Sequence, residues 1–368
     1  MVYLLRDSGG AGTYSRELVR ALLARGGVGV VAAVGSTAPE ELFAEDFASE
    51  VDWVRLPVPG AGSPWHMAWE LGGLAATAVR KRCDVVHGLA NIVPLASVRV
   101  PRVVTLLDLI WIHHPDAMDA RSRLGMRTLA PLCARRADRV IAISQAAKDD
   151  MVATLGLDPA GIDVTHLGIR DRDLAAPVAE GELRARLELG DGPVVLCVAQ
   201  KRAHKNLTGL IRALAALGRP EARLVVPGSP TEHEDELRAL ASEFGVADQV
   251  RLPGWLEPGE LEGLYQLAAC FALASFEEGF GLPVLEAMRR GVPVACSDAS
   301  SLPEVAGDAA LLFDPRNPGD IARAIGRLLD EPELAAQLVE RGRVRCAEFT
   351  WDRTAAATVE VYERAMRR

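Results

Sequence analysis

Residues 277–288 read EEGFGLPVLEAM, and residues 291–315 continue GVPVACSDASSLPEVAGDAALLFDP. An apolar run, CFALAS from Cys270, leads into the first stretch, and a second apolar run, VPVACS from Val292, follows it. Between them lies a glycine-rich turn, then Pro283 where a helix would start, because its missing N–H and fixed φ suit a first helical position. Strand, glycine turn, helix and strand in that order make one parallel βαβ unit. Strands that are apolar at nearly every position are covered on both faces.

The same rhythm extends in both directions. Upstream stand VVLCVA from Val194 and ARLVVPG from Ala222, and in the first half VVAAV from Val30, DVVHG from Asp84, RVVTLLDLI from Arg102 and RVIAIS from Arg139. MVYLL at the start reads as a further short strand. At 368 residues the chain exceeds one ordinary core. The expected fold is α/β, with two Rossmann-like, doubly wound parallel-sheet domains facing across a cleft. The polar stretch with DRDLAAPVAEGE breaks the rhythm and reads as a linker, 171–190, between an N-terminal domain, 1–170, and a C-terminal one, 191–348. The last segment, 349–368, carries Val359, Val361, Tyr362 and Met366, mostly at helical spacing. It is expected to be a helix that crosses back to the N-terminal domain.

In open parallel sheets, ligands bind outside the carboxyl ends of the strands, so chemistry-bearing residues should follow strands. Glu278 precedes the glycine turn and Glu286 lies in the expected first helical turn. A carboxylate there can accept ribose hydroxyls, while N–H groups near Phe280, Gly281 and Leu282 suit a diphosphate. Lys205, in AQKRAHKNLTG after the Val194 strand, stands at a helix start, where an ammonium and the helix dipole both favour phosphate. Near the N-terminus, Gly9 and Gly10 in DSGGAGTY open an amphipathic helix. They suit either a plain tight turn or a phosphate approach. The string lacks the full glycine spacing of a dinucleotide fingerprint.

EEGFGLPVLEAM with its continuation resembles the nucleotide-sugar site of retaining glycosyltransferases of family 4, the group 1 enzymes of the GT-B fold. The resemblance implies a nucleotide-sugar-dependent transferase that is metal-independent and works with retention on a sugar-containing acceptor. That acceptor is a glycan, a lipid-linked sugar or a natural product. It implies that Glu278 orients the donor sugar, that Lys205 contacts the donor phosphates and that both are catalytic. Many relatives carry an arginine after a glycine at the strand end, where this chain has Gln200 after Ala199. Arg202 is the expected substitute for that charge, ahead of Lys201. Relatives also often read Thr-x-His-Asp where this chain has Thr105, Leu106, Leu107 and Asp108. Leu107 in place of that histidine cannot bond a 6-hydroxyl, which suggests a 6-deoxyhexose or a pentose as donor sugar. His87 and His113 are expected on the acceptor side.

Composition narrows the field further. A net charge of −9 argues against a nucleic-acid partner. The six cysteines show no Cys-x-x-Cys pair or zinc spacing, so they read as reduced core residues of a cytoplasmic protein. No run reaches the ~20 apolar residues of a membrane span, which leaves room only for peripheral membrane contact. Asp171-Arg172-Asp173 spells Asp-x-Asp, but it lies in the linker and not after a strand. No metal site and no resident cofactor are expected, and nothing in the sequence fixes the oligomeric state. Three alternatives stay open on the residues alone: a sugar-nucleotide epimerase or phosphorylase on the same scaffold, a NAD-dependent oxidoreductase, and a non-enzymatic sugar-nucleotide sensor or inactive partner subunit.

Overall fold

A computed structural model describes residues 9–36, 40–56, 69–96, 99–115, 120–170 and 175–367. The chain forms two compact units, Met1–Arg170 with Phe349–Arg368, and Asp171–Glu348. The expected strand MVYLL and the Asp171–Asp173 triplet lie outside the described residues. No described helix is long and apolar enough to cross a membrane.

In the first unit β1 (Val30–Gly35) pairs in parallel with β2 (Val51–Leu56). A second parallel sheet runs in the order β3 (Val86–Gly88), β4 (Arg102–Leu106), β5 (Arg139–Ala142) and β6 (Ile162–Val164). Its core joins Val104, Leu106, Val140 and Ala142 to Ala130, Cys133 and Met151 from the covering helices. Gly9 and Gly10 do not form a tight turn ahead of a helix, since both are already helical within Gly9–Arg25. The helix Gln145–Leu155 starts at Ser144, whose Oγ accepts from the N–H of Ala147 at 3.0 Å. The C-terminal helix Trp351–Met366 is part of this unit. It buries Ala355, Val361, Tyr362 and Ala365, and Thr354 Oγ1 donates to the carbonyl of His166 at 2.8 Å.

The second unit is one parallel sheet in the order β12-β11-β10-β7-β8-β9. Its strands are β7 (Val194–Leu196), β8 (Arg223–Val225), β9 (Val250–Arg251), β10 (Cys270–Leu273), β11 (Val294–Ser297) and β12 (Ala310–Phe313). Val194 to Leu196 and Cys270 to Leu273 are all fully buried, which explains why the central strands read as unbroken apolar runs. In chain order the first three strands run one way from β7 and the last three run the other way from β10. This is the doubly wound order, and its reversal point lies between β7 and β10. Residues 180–186, within the stretch expected to be a linker, form a helix whose Leu183 is fully buried. The ordered second unit therefore starts earlier than composition suggested.

Candidate active site

The carboxyl ends of β7 and β10 are neighbours, because Cys270 and Phe271 pair with Val195 and Leu196. The loops that follow these strands therefore leave the sheet side by side, at the point where strand order reverses. From β7 the chain makes a single 3-10 turn, Ala203–Lys205, and then caps the helix Leu207–Leu217 with Asn206. Asn206 sits in the left-handed region at φ 52°, its Oδ1 accepts from the N–H of Gly209 at 3.1 Å, and its Nδ2 donates to the carbonyl of Pro315 at 2.7 Å. The N–H of Phe276, just past β10, donates to the carbonyl of His204 at 2.8 Å and ties the two loops together.

Lys205 and Glu278 meet as a result. Lys205 Nζ donates to both carboxylate oxygens of Glu278, at 2.7 and 2.8 Å, and Ser275 Oγ donates to Oε1 at 2.7 Å. Glu278 is 9% exposed and the Lys205 side chain 18%, so the pair is shielded without being sealed. A carboxylate this buried needs a cation and a donor close by, and it has both. The turn after Glu278 is fixed by the loop that follows β11. Ser301 Oγ donates to the carbonyls of Glu278 and Phe280, at 3.0 and 2.8 Å, and Ser300 Oγ donates to that of Glu278 at 2.8 Å. Gly281 then takes φ 105°, and a Cβ there would lie 2.6 Å from a methyl of Leu302. The positive φ is what restricts this position to glycine.

That left-handed break lets the helix Leu282–Arg289 begin at Leu282. Glu286 is consequently one turn along the helix and not in its first turn as expected. Its Oε2 accepts from Tyr265 Oη at 3.2 Å. Tyr265 is buried in the helix Pro258–Leu267, and the Arg290 guanidinium lies 4.4 Å from its ring centre. Arg290 is itself held by Glu262 at 2.8 Å and by the Glu286 carbonyl at 3.0 Å. None of Tyr265, Arg290, Ser275 or Ser301 stood out in the sequence. Tyr265, Arg290 and Ser301 reach partners 21 to 28 residues away, which no local spacing reveals, whereas Ser275 lies only three residues before Glu278.

The two basic candidates after β7 separate cleanly. Lys201 is fully buried and donates to the carbonyls of Gly228 at 2.7 Å and Pro253 at 3.1 Å, with Glu234 3.4 Å away. Burial lowers its pKa, and its ammonium is committed to the interior. Arg202 is half-buried and donates from Nε to Gln200 at 3.3 Å.

In the first unit, Leu107 directly follows β4 and is half-buried. His87 does not offer an open ring nitrogen to an acceptor as expected. Its Nδ1 bonds Tyr362 Oη and its Nε2 bonds Thr105 Oγ1, each at 2.8 Å, and Thr105 Oγ1 also meets Tyr14 Oη at 2.8 Å. Burial drives the His87 pKa down to about 3, so the ring is neutral and structural. His113 is more exposed and bonds Asp150 through Nε2 at 3.0 and 3.1 Å. Gly10 has open space where a Cβ would sit, so close packing does not require a glycine there.

Comparison with known proteins identifies the family and the fold. The profile described as Glycosyltransferase Family 4 matches residues 8–172, and that described as Glycosyl transferases group 1 matches residues 180–345. The MMP alpha-(1->4)-mannosyltransferase of Mycolicibacterium hassiacum is 30% identical over 418 residues, covering 98% of this chain and 96% of that one. The D-inositol 3-phosphate glycosyltransferase of Acidothermus cellulolyticus is also 30% identical, over 98% of this chain and 86% of its own. Among solved structures, sucrose-phosphate synthase from Thermosynechococcus elongatus shares the fold with a TM-score of 0.74 at 24% identity, over 96% of this chain and 93% of that one. Anabaena HepE, solved in complex with UDP and glucose, shares it with a TM-score of 0.71 at 20% identity, over 96% of each chain. The chain thus belongs to glycosyltransferase family 4, as a nucleotide-sugar-dependent enzyme of the GT-B fold.

Proposed function

We propose that the enzyme transfers a glycosyl group with retention of anomeric configuration, and that the second unit grips the donor through Lys205, Arg202, Glu278 and Glu286. The observation that carries this reading is the Lys205–Glu278 pair, set at the strand-order reversal of the second sheet. When the sugar–phosphate bond breaks, negative charge grows on the leaving diphosphate. An ammonium already aimed there stabilises that charge with little reorganisation. Lys205 exchanges part of its hold on Glu278 for phosphate oxygens, with Arg202 as the second cation. Glu278, partly released, orients the sugar hydroxyls, and Glu286 accepts the ribose hydroxyls. The backbone of Phe280, Gly281 and Leu282 lines the diphosphate at a helix start. The leaving diphosphate itself helps take the acceptor proton on the same face, so no protein nucleophile is needed. Gly9 and Gly10 open the helix of the first unit and are the remaining donor contacts of this reading.

The acceptor is a sugar-containing molecule: a glycan, a lipid-linked sugar or a natural product. Leu107 in place of a histidine favours a donor sugar without a 6-hydroxyl. Because the Mycolicibacterium relative is a mannosyltransferase, the decisive donor pair is GDP-mannose against its 6-deoxy counterpart. Three measurements test the whole reading. A thermal-shift panel of UDP, GDP and dTDP should stabilise the protein with one clear preference, and NAD should not. Product NMR should show the donor's anomeric configuration preserved, and EDTA should leave the rate unchanged. Inversion, or a rate abolished by EDTA and restored by a divalent cation, would remove the mechanism.

A further inference from the structure

The network behind Glu286 carries an inference that reaches beyond donor contact, resting on the reading that Glu286 holds the donor ribose. We propose that Tyr265 is a positioning residue for nucleotide recognition, aiming the Glu286 carboxylate at the ribose through its phenol while Arg290 and Glu262 lock the phenol in place.

Glutamate in the second turn of a helix has several rotamers, and a half-buried one gains little from being left to choose. Tyr265 Oη reaches Glu286 Oε2 at 3.2 Å from a different helix, so the bond crosses the gap between Pro258–Leu267 and Leu282–Arg289. The tyrosine is itself immobile. Its ring is 1% exposed, stacks on Phe271 of β10 with centroids 6.3 Å apart, and carries the Arg290 guanidinium over its face. Arg290 cannot drift, since Glu262, 8% exposed, binds it, and its Nη1 donates to the Glu286 backbone carbonyl. Burial and the neighbouring Glu286 charge keep the phenol far above its ordinary pKa, so it remains a donor throughout the working pH range. With one carboxylate oxygen held by the phenol, the group's orientation is restricted, and the carboxylate is presented in a preferred direction to ribose hydroxyls. Orientation of this kind raises affinity for a hydroxylated ribose and does nothing for a sugar that lacks hydroxyls.

The test compares a nucleoside diphosphate with its 2′,3′-dideoxy form, using the base preferred in the thermal-shift panel and calorimetric Kd values. Wild-type enzyme, Tyr265→Phe and Glu286→Gln are measured side by side. The wild type should favour the ribonucleotide by at least roughly 10-fold, the scale of a hydrogen bond to a charged group. Tyr265→Phe keeps the ring and its cation, so its melting temperature should stay within a few degrees. It should bind the ribonucleotide several-fold more weakly, leave the dideoxy form nearly unchanged and so narrow the preference. If Tyr265→Phe weakens both nucleotides in parallel, or weakens neither, while Glu286→Gln narrows the preference, the phenol only fills space and the inference is overturned with the ribose reading intact. If Glu286→Gln leaves the preference untouched, the ribose reading itself fails and takes the inference with it.

Discussion

Lys205 and Glu278 neutralise each other in the structure, and under the proposed function the chemistry depends on how that pair is shared once a diphosphate arrives. Removing one preorganised charge-stabilising group from an active site typically costs about 2.7–4 kcal/mol of barrier. Lys205→Ala should therefore lower kcat by roughly 100-fold or more. A stopped assay with saturating donor checks it, and near-normal turnover would take Lys205 off the catalytic list. Leu107→His restores a side chain that can bond a 6-hydroxyl and should shift the kcat/KM ratio toward donors that keep this group. A ratio unmoved by the substitution would detach Leu107 from sugar choice. The glutamate run and Lys205 were legible because their chemistry is local, written within a few residues of a strand end. The sequence favoured Arg202 over Lys201, but the reason Lys201 is buried was not legible, because it lies in the carbonyls of Gly228 and Pro253, in the segments that follow β8 and β9.

Among the elements, Asn206 serves three purposes at once: a left-handed turn, an N-cap and a bond to Pro315. Asn206→Ala gives up the cap, worth about 1 kcal/mol, and strains the left-handed backbone by about 1–2 kcal/mol. Chemical denaturation should report a loss of roughly 2–3 kcal/mol. A change below about 0.5 kcal/mol would show that the turn holds without its cap. The apolar runs that contain β1, β4, β5, β7, β10 and β11 extend past the strands themselves in places, as VVLCVA does around β7, and were readable because burial at nearly every position writes a continuous pattern. β6 with IDV and β9 with VR are too short to carry one, and VDWVRL in β2 alternates instead. In the helix Glu180–Arg186, Leu183 is the sole aliphatic anchor larger than alanine among charged residues, so its composition looked like connecting chain.

For the molecule as a whole, pH and thiol chemistry give two accessible readouts. His87 is neutral in the folded protein down to about pH 3, whereas an unfolded histidine binds its proton near pH 6.5. The contribution is intact above about pH 6.5 and is lost as pH falls from there toward 3. By linkage this removes up to about 2 kcal/mol between pH 6.5 and 5. His87→Gln should flatten that stretch of the stability profile, and an unchanged slope would refute the assignment. Cys133, Cys197, Cys270, Cys296 and Cys346 are buried and Cys83 is half-buried. Burial pushes the thiols of Cys197, Cys270 and Cys296 up to about 12, so native protein should react with a disulfide reagent at Cys83 first and the rest only on unfolding.

The first unit is interrupted: residues 171–348 intervene before Phe349–Arg368 complete it. During synthesis, the later unit is whole while the earlier one still lacks the Tyr362 that engages His87 and the Thr354 that engages His166. Residues 349–368 must be made before the first unit can close. Stop codons shortly after Glu348 should therefore spare the second unit and leave the first open to proteases, an asymmetry set by translation order.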